Sequence, residues 1–164
     1  MAITSEQLAK SGSEDALQRA LLNEIALVIR PRMPQVDLIY HVPNGGSRGS
    51  DPVEAKKEGA RMAALGTKKG TPDLCLPIPS QGFAALYIEM KRPKDGELSP
   101  HQKRRIGMLS QVHNFCAVID DWRLGVQLVD DYLFMPNREL FALRYALHIR
   151  GDFPAIFDPS HFFR

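Results

Sequence analysis

The stretch "GTPDLCLPIPSQGFAALYIEMKRP", residues 70–93, constrains the fold of this chain more than any other. Residues 73–78 and 84–91 read as two apolar strands separated by a turn at "PSQG". Asp73 opens the first strand, while Glu89 and Lys91 lie near the end of the second. Strand side chains alternate between faces, so Glu89 and Lys91 share one face and Ile88 and Met90 the other. Paired as a hairpin, the two segments make Asp73, Glu89 and Lys91 converge. Charges beside a core are costly without partners. Two hard carboxylates at one spot repel unless a divalent cation lies between them. Mg²⁺ suits such a place because it takes few carboxylates and keeps several waters. A lysine beside the same ion can orient a water, or accept its proton if its own pKa is depressed, and it offsets phosphate charge. Asp-x15-Glu-x-Lys thus supplies the parts for metal-assisted phosphodiester hydrolysis. The plainer alternative is a cross-strand salt bridge of Lys91 with Glu89 or Asp73 on a solvated face.

The surrounding sequence frames this hairpin with helices. "SEDALQRALLNEIALVI" (13–29) has helical periodicity, with Leu17, Leu21, Ile25 and Val28 on one face, and Pro31 and Pro34 end it. "VDLIYHVPN" (36–44) reads as a strand, "GGSRGS" as a turn, and "DPVEAKKEGARMAALG" as a short helix with Pro52 in its first turn. Ser99 and Pro100 mark a helix start, "FCAVID" a buried strand, and "DWRLGVQLVDDYL" a further helix. The order α, β, α, β-β, α, β, α suggests an α/β domain, a small mixed sheet with helices on its faces. The chain of 164 residues has room for one such domain. Residues 1–12 read as a flexible leader, 13–133 as the main domain and 134–164 as an aromatic extension. Runs such as "FAALYI" are far too short to cross a bilayer, and the polar N-terminus lacks the apolar segment of a signal peptide. A cytoplasmic location without a membrane partner is expected. Cys75 and Cys116, the only cysteines, lie in apolar strands and read as core thiols.

The pattern resembles the PD-(D/E)XK nuclease superfamily, whose signature is the "PD" before the turn and the "EMK" after it. More widely it is similar to the VRR-NUC branch, through "SEDALQ", "HVPNGG", "AKKEGARMAALGTKKGTPDL", "LYIEMKRP" and "LSPHQK", in order from residue 13 to about 133. The resemblance implies a restriction-endonuclease-like core and a Mg²⁺- or Mn²⁺-dependent DNA endonuclease. It implies that Asp73 and Glu89 bind metal with the backbone carbonyl of Met90, and that Lys91 positions the nucleophilic water. It also implies a helix-borne glutamate near the metal, here Glu14, and a glutamine after the strand, here Gln102, to hold Lys91 or a phosphate. The residues allow other roles. Glu14 falls within the apolar arc of its helix, yet Ser11-x-x-Glu14 also fits a capping box. Glu24, at the edge of that arc, reads as a solvated flank. Read without the resemblance, Gln102 is an exposed first-turn residue and His41 a hydrogen-bonded core histidine.

Charge is distributed unevenly. Residues 41–110 carry 12 Lys and Arg against 7 Asp and Glu, although the whole chain is only +2. A local positive field attracts phosphates. Lys68 and Lys69, whose loop leads into Asp73, are the first choice for DNA contacts, with Asn44, Arg48, Arg92 and Lys103 beside them. Lys56, Lys57, Arg61, Arg104 and Arg105 fit solvated helix faces equally well.

Six of the eight phenylalanines fall after residue 133. They fit a homodimer interface, as resolution of a four-way (Holliday) junction by two cuts would require, or the completion of the monomer's own core. Compact stand-alone viral, including phage, and bacterial VRR-NUC proteins resolve such junctions, whereas repair-protein modules of the family cut flaps. The lack of a second domain resembles the first group. Two readings oppose a nuclease: a non-catalytic nucleic-acid-binding module of the same fold, and a phage-associated structural protein resting on the aromatic tail.

Overall fold

The structure, a computed structural model, describes residues 3–43, 51–93 and 96–146. Four strands form one mixed sheet in the order β1-β2-β3-β4. These are β1 (Tyr40–His41), β2 (Leu74–Leu76), β3 (Leu86–Met90) and β4 (Phe115–Ile119). β2 and β3 make the antiparallel hairpin expected from the sequence, with Leu74 opposite Ile88 and Leu76 opposite Leu86. Ser80 and Phe83 pair across its turn. β4 lies parallel to β3, from Phe115 beside Leu86 to Ile119 beside Met90. The helix expected after Asp51 is α3 (Pro52–Ala64), and the crossover that parallel neighbours need is supplied by α4 (Pro100–Gln111).

The hairpin divides its side chains as strand alternation demands. Leu74, Leu76, Leu86, Ile88 and Met90 are almost wholly buried. They join Leu17, Leu21 and Ile25 of α2 (Glu14–Val28) and Leu128, Val129 and Tyr132 of α5 (Trp122–Phe134) in one core. Gly125 lets α5 approach closely: a Cβ there would stand 2.6 Å from Ile119 Cδ1 and 2.9 Å from Leu21 Cδ1. Cys75 and Cys116 are free, buried thiols, as expected, and burial pushes the Cys116 thiol up to about 12. No helix among the described residues is long and apolar enough to cross a membrane.

The structure departs from the sequence reading in three places. Within the expected leader, α1 (Ser5–Ala9) forms behind a capping box of Thr4 and Gln7. Its Ser5 is buried; the hydroxyl donates to Glu24 (2.7 Å) and accepts from Asn23 (2.9 Å), so Glu24 is a docking point for α1 and not a solvated flank. Secondly, Pro34–Leu38 is a 3₁₀ turn anchored by buried Val36, which leaves only Tyr40–His41 as strand. Proline at its first position fixes φ and favours the tight turn over an extended start. Thirdly, Val28 is 41% exposed, and Ile29 takes the expected core place. The segment after residue 133 contributes to the core, one of the two roles that the sequence leaves open. In α6 (Arg138–Ala146), Phe141 is fully buried and sits edge-on to Phe115 at 5.1 Å and Tyr132 at 5.9 Å. Tyr145 joins them at 4.8 Å from Phe141, its hydroxyl donating to Asp131 (2.6 Å). Phe153, Phe157, Phe162 and Phe163 lie outside the described residues.

Candidate active site

One step beyond the β2–β3 register, Asp73 comes opposite Glu89. A hydrogen bond across the end of the hairpin fixes it: the Met90 N–H donates to Asp73 Oδ2 at 2.9 Å. Val42 N–H, just past β1, donates to the Asp73 carbonyl at 2.8 Å. Asp73 is thereby held through its main chain on one side and its carboxylate on the other.

Glu89 is only 1% exposed. Its Oε1 accepts from Lys91 Nζ at 2.6 Å and from the Gln102 side-chain amide, while its Oε2 is buried without a hydrogen-bond partner. Burial, and then the Asp73 charge, pushes the Glu89 carboxyl up to about 7, with Glu14 adding to the rise and Lys91 opposing it. Lys91 is itself buried at 7% exposure, and its Nζ lies 4.0 Å from Glu14 Oε1. The trio is therefore not a pair on a solvated sheet face. It is a buried ion pair with a second carboxylate beside it and an acceptor atom left over.

The residues that complete the cluster come from the helix starts. Ser13 caps α2 by accepting from Ala16 N–H (3.2 Å), so the Ser11–Glu14 capping box does not form. Glu14 is the first residue of α2 and its side chain is 43% exposed, at the rim of the site and not on the buried face. Gln102 has two roles at once. Its Oε1 accepts from Ser99 N–H at 2.8 Å, closing a capping box at the start of α4, while its amide nitrogen reaches Glu89. Gly70 allows the loop before Asp73 to press on this helix start: its φ is +78°, and a Cβ would lie 2.4 Å from the His101 carbonyl oxygen.

The structure brings together Asp73, Glu89, Lys91, Gln102 and Glu14 from separate parts of the chain. Met90 enters through its peptide N–H. Lys68, Lys69, Arg92 and Lys103 are exposed, while Asn44 and Arg48 lie outside the described residues. His41 is exposed on the sheet edge and is hydrogen-bonded but not a core histidine; its side chain meets that of Gln18 beside Asp73, and sequence reasoning gave neither a site role. The available signal was Gln18's position one helical turn after Glu14, on the same face.

Among the described residues, no three His, Cys, Asp or Glu side chains converge closely enough to enclose an ion by themselves. The side-chain donors at the hairpin end number two, Asp73 and Glu89, with Glu14 at the rim. That set matches a hard cation that completes its shell with water and backbone oxygen. The unpartnered Glu89 Oε2 fits the same group, since a buried carboxylate oxygen without a donor wants a positive ligand.

The VRR-NUC domain profile matches residues 23–120, more than half of the chain and including Asp73, Glu89, Lys91 and Gln102. The chain belongs to the VRR-NUC domain family. A solved structure named VRR_NUC domain protein superposes with a TM-score of 0.57 at 26% identity, covering 73% of this chain and 87% of that one. No curated protein matches the chain. The four-stranded mixed sheet flanked by helices is thus the nuclease-type fold of the VRR-NUC family. Glu14 lies before the matched span, so its place beside Lys91 rests on the geometry alone.

Proposed function

We propose that this VRR-NUC domain is a Mg²⁺-dependent DNA endonuclease, with Mn²⁺ able to substitute, that hydrolyses phosphodiester bonds in branched DNA. One observation carries the reading: Glu89 is buried beside Asp73 with one oxygen held by Lys91 and Gln102 and the other without a partner. A purely structural ion pair has no use for a second carboxylate at its side, which raises the cost of the charge. Asp73 and Glu89 would hold the cation, with Glu14 close enough to the site to join through water. The cation, when bound, supplies Lewis-acid stabilisation of phosphate charge and acidifies water. Gln102 fixes the Glu89 carboxylate, and the Met90 N–H fixes that of Asp73. Lys91 Nζ, 2.6 Å from Glu89, would hold a water for in-line attack and offset phosphate charge. Exposed Lys68, Lys69, Arg92 and Lys103 supply the positive rim along which a DNA backbone would run.

Preference for a four-way junction would require two cuts, and a two-fold dimer would supply the second centre. Phe141 and Tyr145 serve the monomer's core, so such an interface would have to use other residues. A cleavage panel of duplex, nicked, flap and four-way-junction DNA, with Mg²⁺ and with chelator, tests the reading. Metal-dependent cutting with preference for branched substrates is expected. Tight DNA binding without cleavage in either Mg²⁺ or Mn²⁺ would favour the non-catalytic binding module.

A further inference from the structure

His41 lies on β1, a strand of two residues at the sheet edge next to β2. Its Nδ1 is 3.0 Å from the Asp73 carbonyl oxygen and 3.2 Å from the Gln18 amide nitrogen. A carbonyl oxygen only accepts, so Nδ1 carries the hydrogen and donates in the tautomer that bonds Asp73, whereas in the other tautomer Nδ1 accepts from the Gln18 amide nitrogen. With its oxygen turned inward, the Gln18 amide is a second acceptor for the same Nδ1–H, in a three-centre bond. The Asp73 carbonyl accepts from both Val42 N–H and His41 Nδ1–H, which uses both of its lone pairs. Gln18 belongs to α2, one turn beyond Glu14. The chain Gln18–His41–Asp73 therefore ties the helix carrying Glu14 to the peptide carrying Asp73.

We infer that His41 is a positioning residue for the candidate metal site: its Nδ1–H locks the Asp73 peptide, and Gln18 locks the ring. The inference rests on the proposed metal site, but the hydrogen bond itself does not. Asp73 lies just outside the strands, since β2 begins only at Leu74 and β1 ends at His41. A short edge strand alone is a loose mount for a metal ligand. A side-chain donor on the same carbonyl stiffens it at the point where the ligand leaves the sheet. Loss of groups that orient a metal ligand commonly costs about 10–100-fold in metal affinity or activity.

The first measurement is the tautomer of His41 in the metal-free protein, read by long-range ¹H–¹⁵N NMR. The protonated Nδ1 form is expected. The second is Mn²⁺ binding by calorimetry for wild type, His41→Ala, His41→Asn and His41→Gln, with circular dichroism to confirm the fold. The Asn amide nitrogen stands near where Nδ1 stands, whereas the Gln amide reaches the place of Nε2. His41→Ala and His41→Gln should weaken Mn²⁺ binding about 10–100-fold, and His41→Asn should recover most of it. In DNA cleavage, the same order should appear in kcat and in metal dependence, with KM for DNA little changed. A wild-type Nε2–H tautomer, wild-type metal affinity in His41→Ala, or failure of His41→Asn to recover in a folded protein would overturn the inference. A wild-type protein that shows the Nδ1–H tautomer but binds no Mn²⁺ overturns the metal site itself, and the positioning role with it.

Discussion

Replacing both members of the buried pair, Glu89→Gln with Lys91→Met, should leave the metal-free protein as stable as wild type or more so, while Lys91→Met alone should destabilise it. The 2.6 Å contact joins side chains that are 1% and 9% exposed, so both charges have surrendered most of their hydration. Removing one partner of such a pair costs about 3–5 kcal/mol, whereas replacing both with neutral groups of similar volume ranges from neutral to a gain of about 1–4 kcal/mol. pH sharpens the comparison. The Glu89 carboxyl is raised in the folded state to about 7, above its ordinary value. Its stabilising contribution is therefore complete below the unfolded value and is lost as pH rises through about 7, at about 1.4 kcal/mol per unit over that interval. Lys91→Met removes an influence that opposes this rise. The single variant should then lose more stability at pH 8 than at pH 5, and the double variant should lose the pH dependence from this site. Urea unfolding in chelator at both pH values provides the assay. A Lys91→Met protein as stable as wild type at pH 8, with no gain in the double variant, would refute the argument that this pair is buried at a cost.

Phe141→Ala should lower stability by about 3–5 kcal/mol, because the ring is fully buried among Phe83, Phe115, Tyr132 and Tyr145; thermal denaturation measures it, and a change below about 1 kcal/mol would remove α6 from the core. Glu14→Gln should leave the melting temperature nearly unchanged and reduce metal-dependent cleavage, while Ser13→Ala should cost about 1 kcal/mol and leave cleavage intact. The reverse pattern would make Glu14 the structural residue. Lys68→Ala with Lys69→Ala should weaken binding to all DNA sequences alike and lower the salt slope by up to about two; an unchanged slope places these lysines off the DNA path.

The hairpin was legible because a strand has a period of two and charges at its end declare their face. Ser99 and Pro100 likewise announced α4 through capping chemistry that depends on adjacent residues. What escaped the sequence depended on contacts between distant segments. The burial of Ser5 and the partnership of Glu24 follow from α1 docking on α2, and a polar dodecapeptide gives no sign of where it docks. Glu14 falls within the apolar arc by helical periodicity, but as the first residue of α2 it lies at the rim, where its side chain is 43% exposed. Gln102 fits a capping position and a site position, and both are occupied by the same side chain. The pairing of Gln18 with His41 spans 23 residues and needed the register of β1.

The central claim is that Asp73, Glu89 and Lys91 form a metal-dependent hydrolytic centre. The most direct test is the single-turnover cleavage rate of a four-way junction by wild type and by the Glu89→Gln, Lys91→Met variant, each in Mg²⁺ and in chelator. The account predicts cutting by wild type in Mg²⁺ alone, and a fall of at least about 10²–10⁴-fold in the variant, which stays folded and still binds DNA. Cleavage by the folded variant at the wild-type rate, or by wild type at equal rates with and without metal, would contradict it.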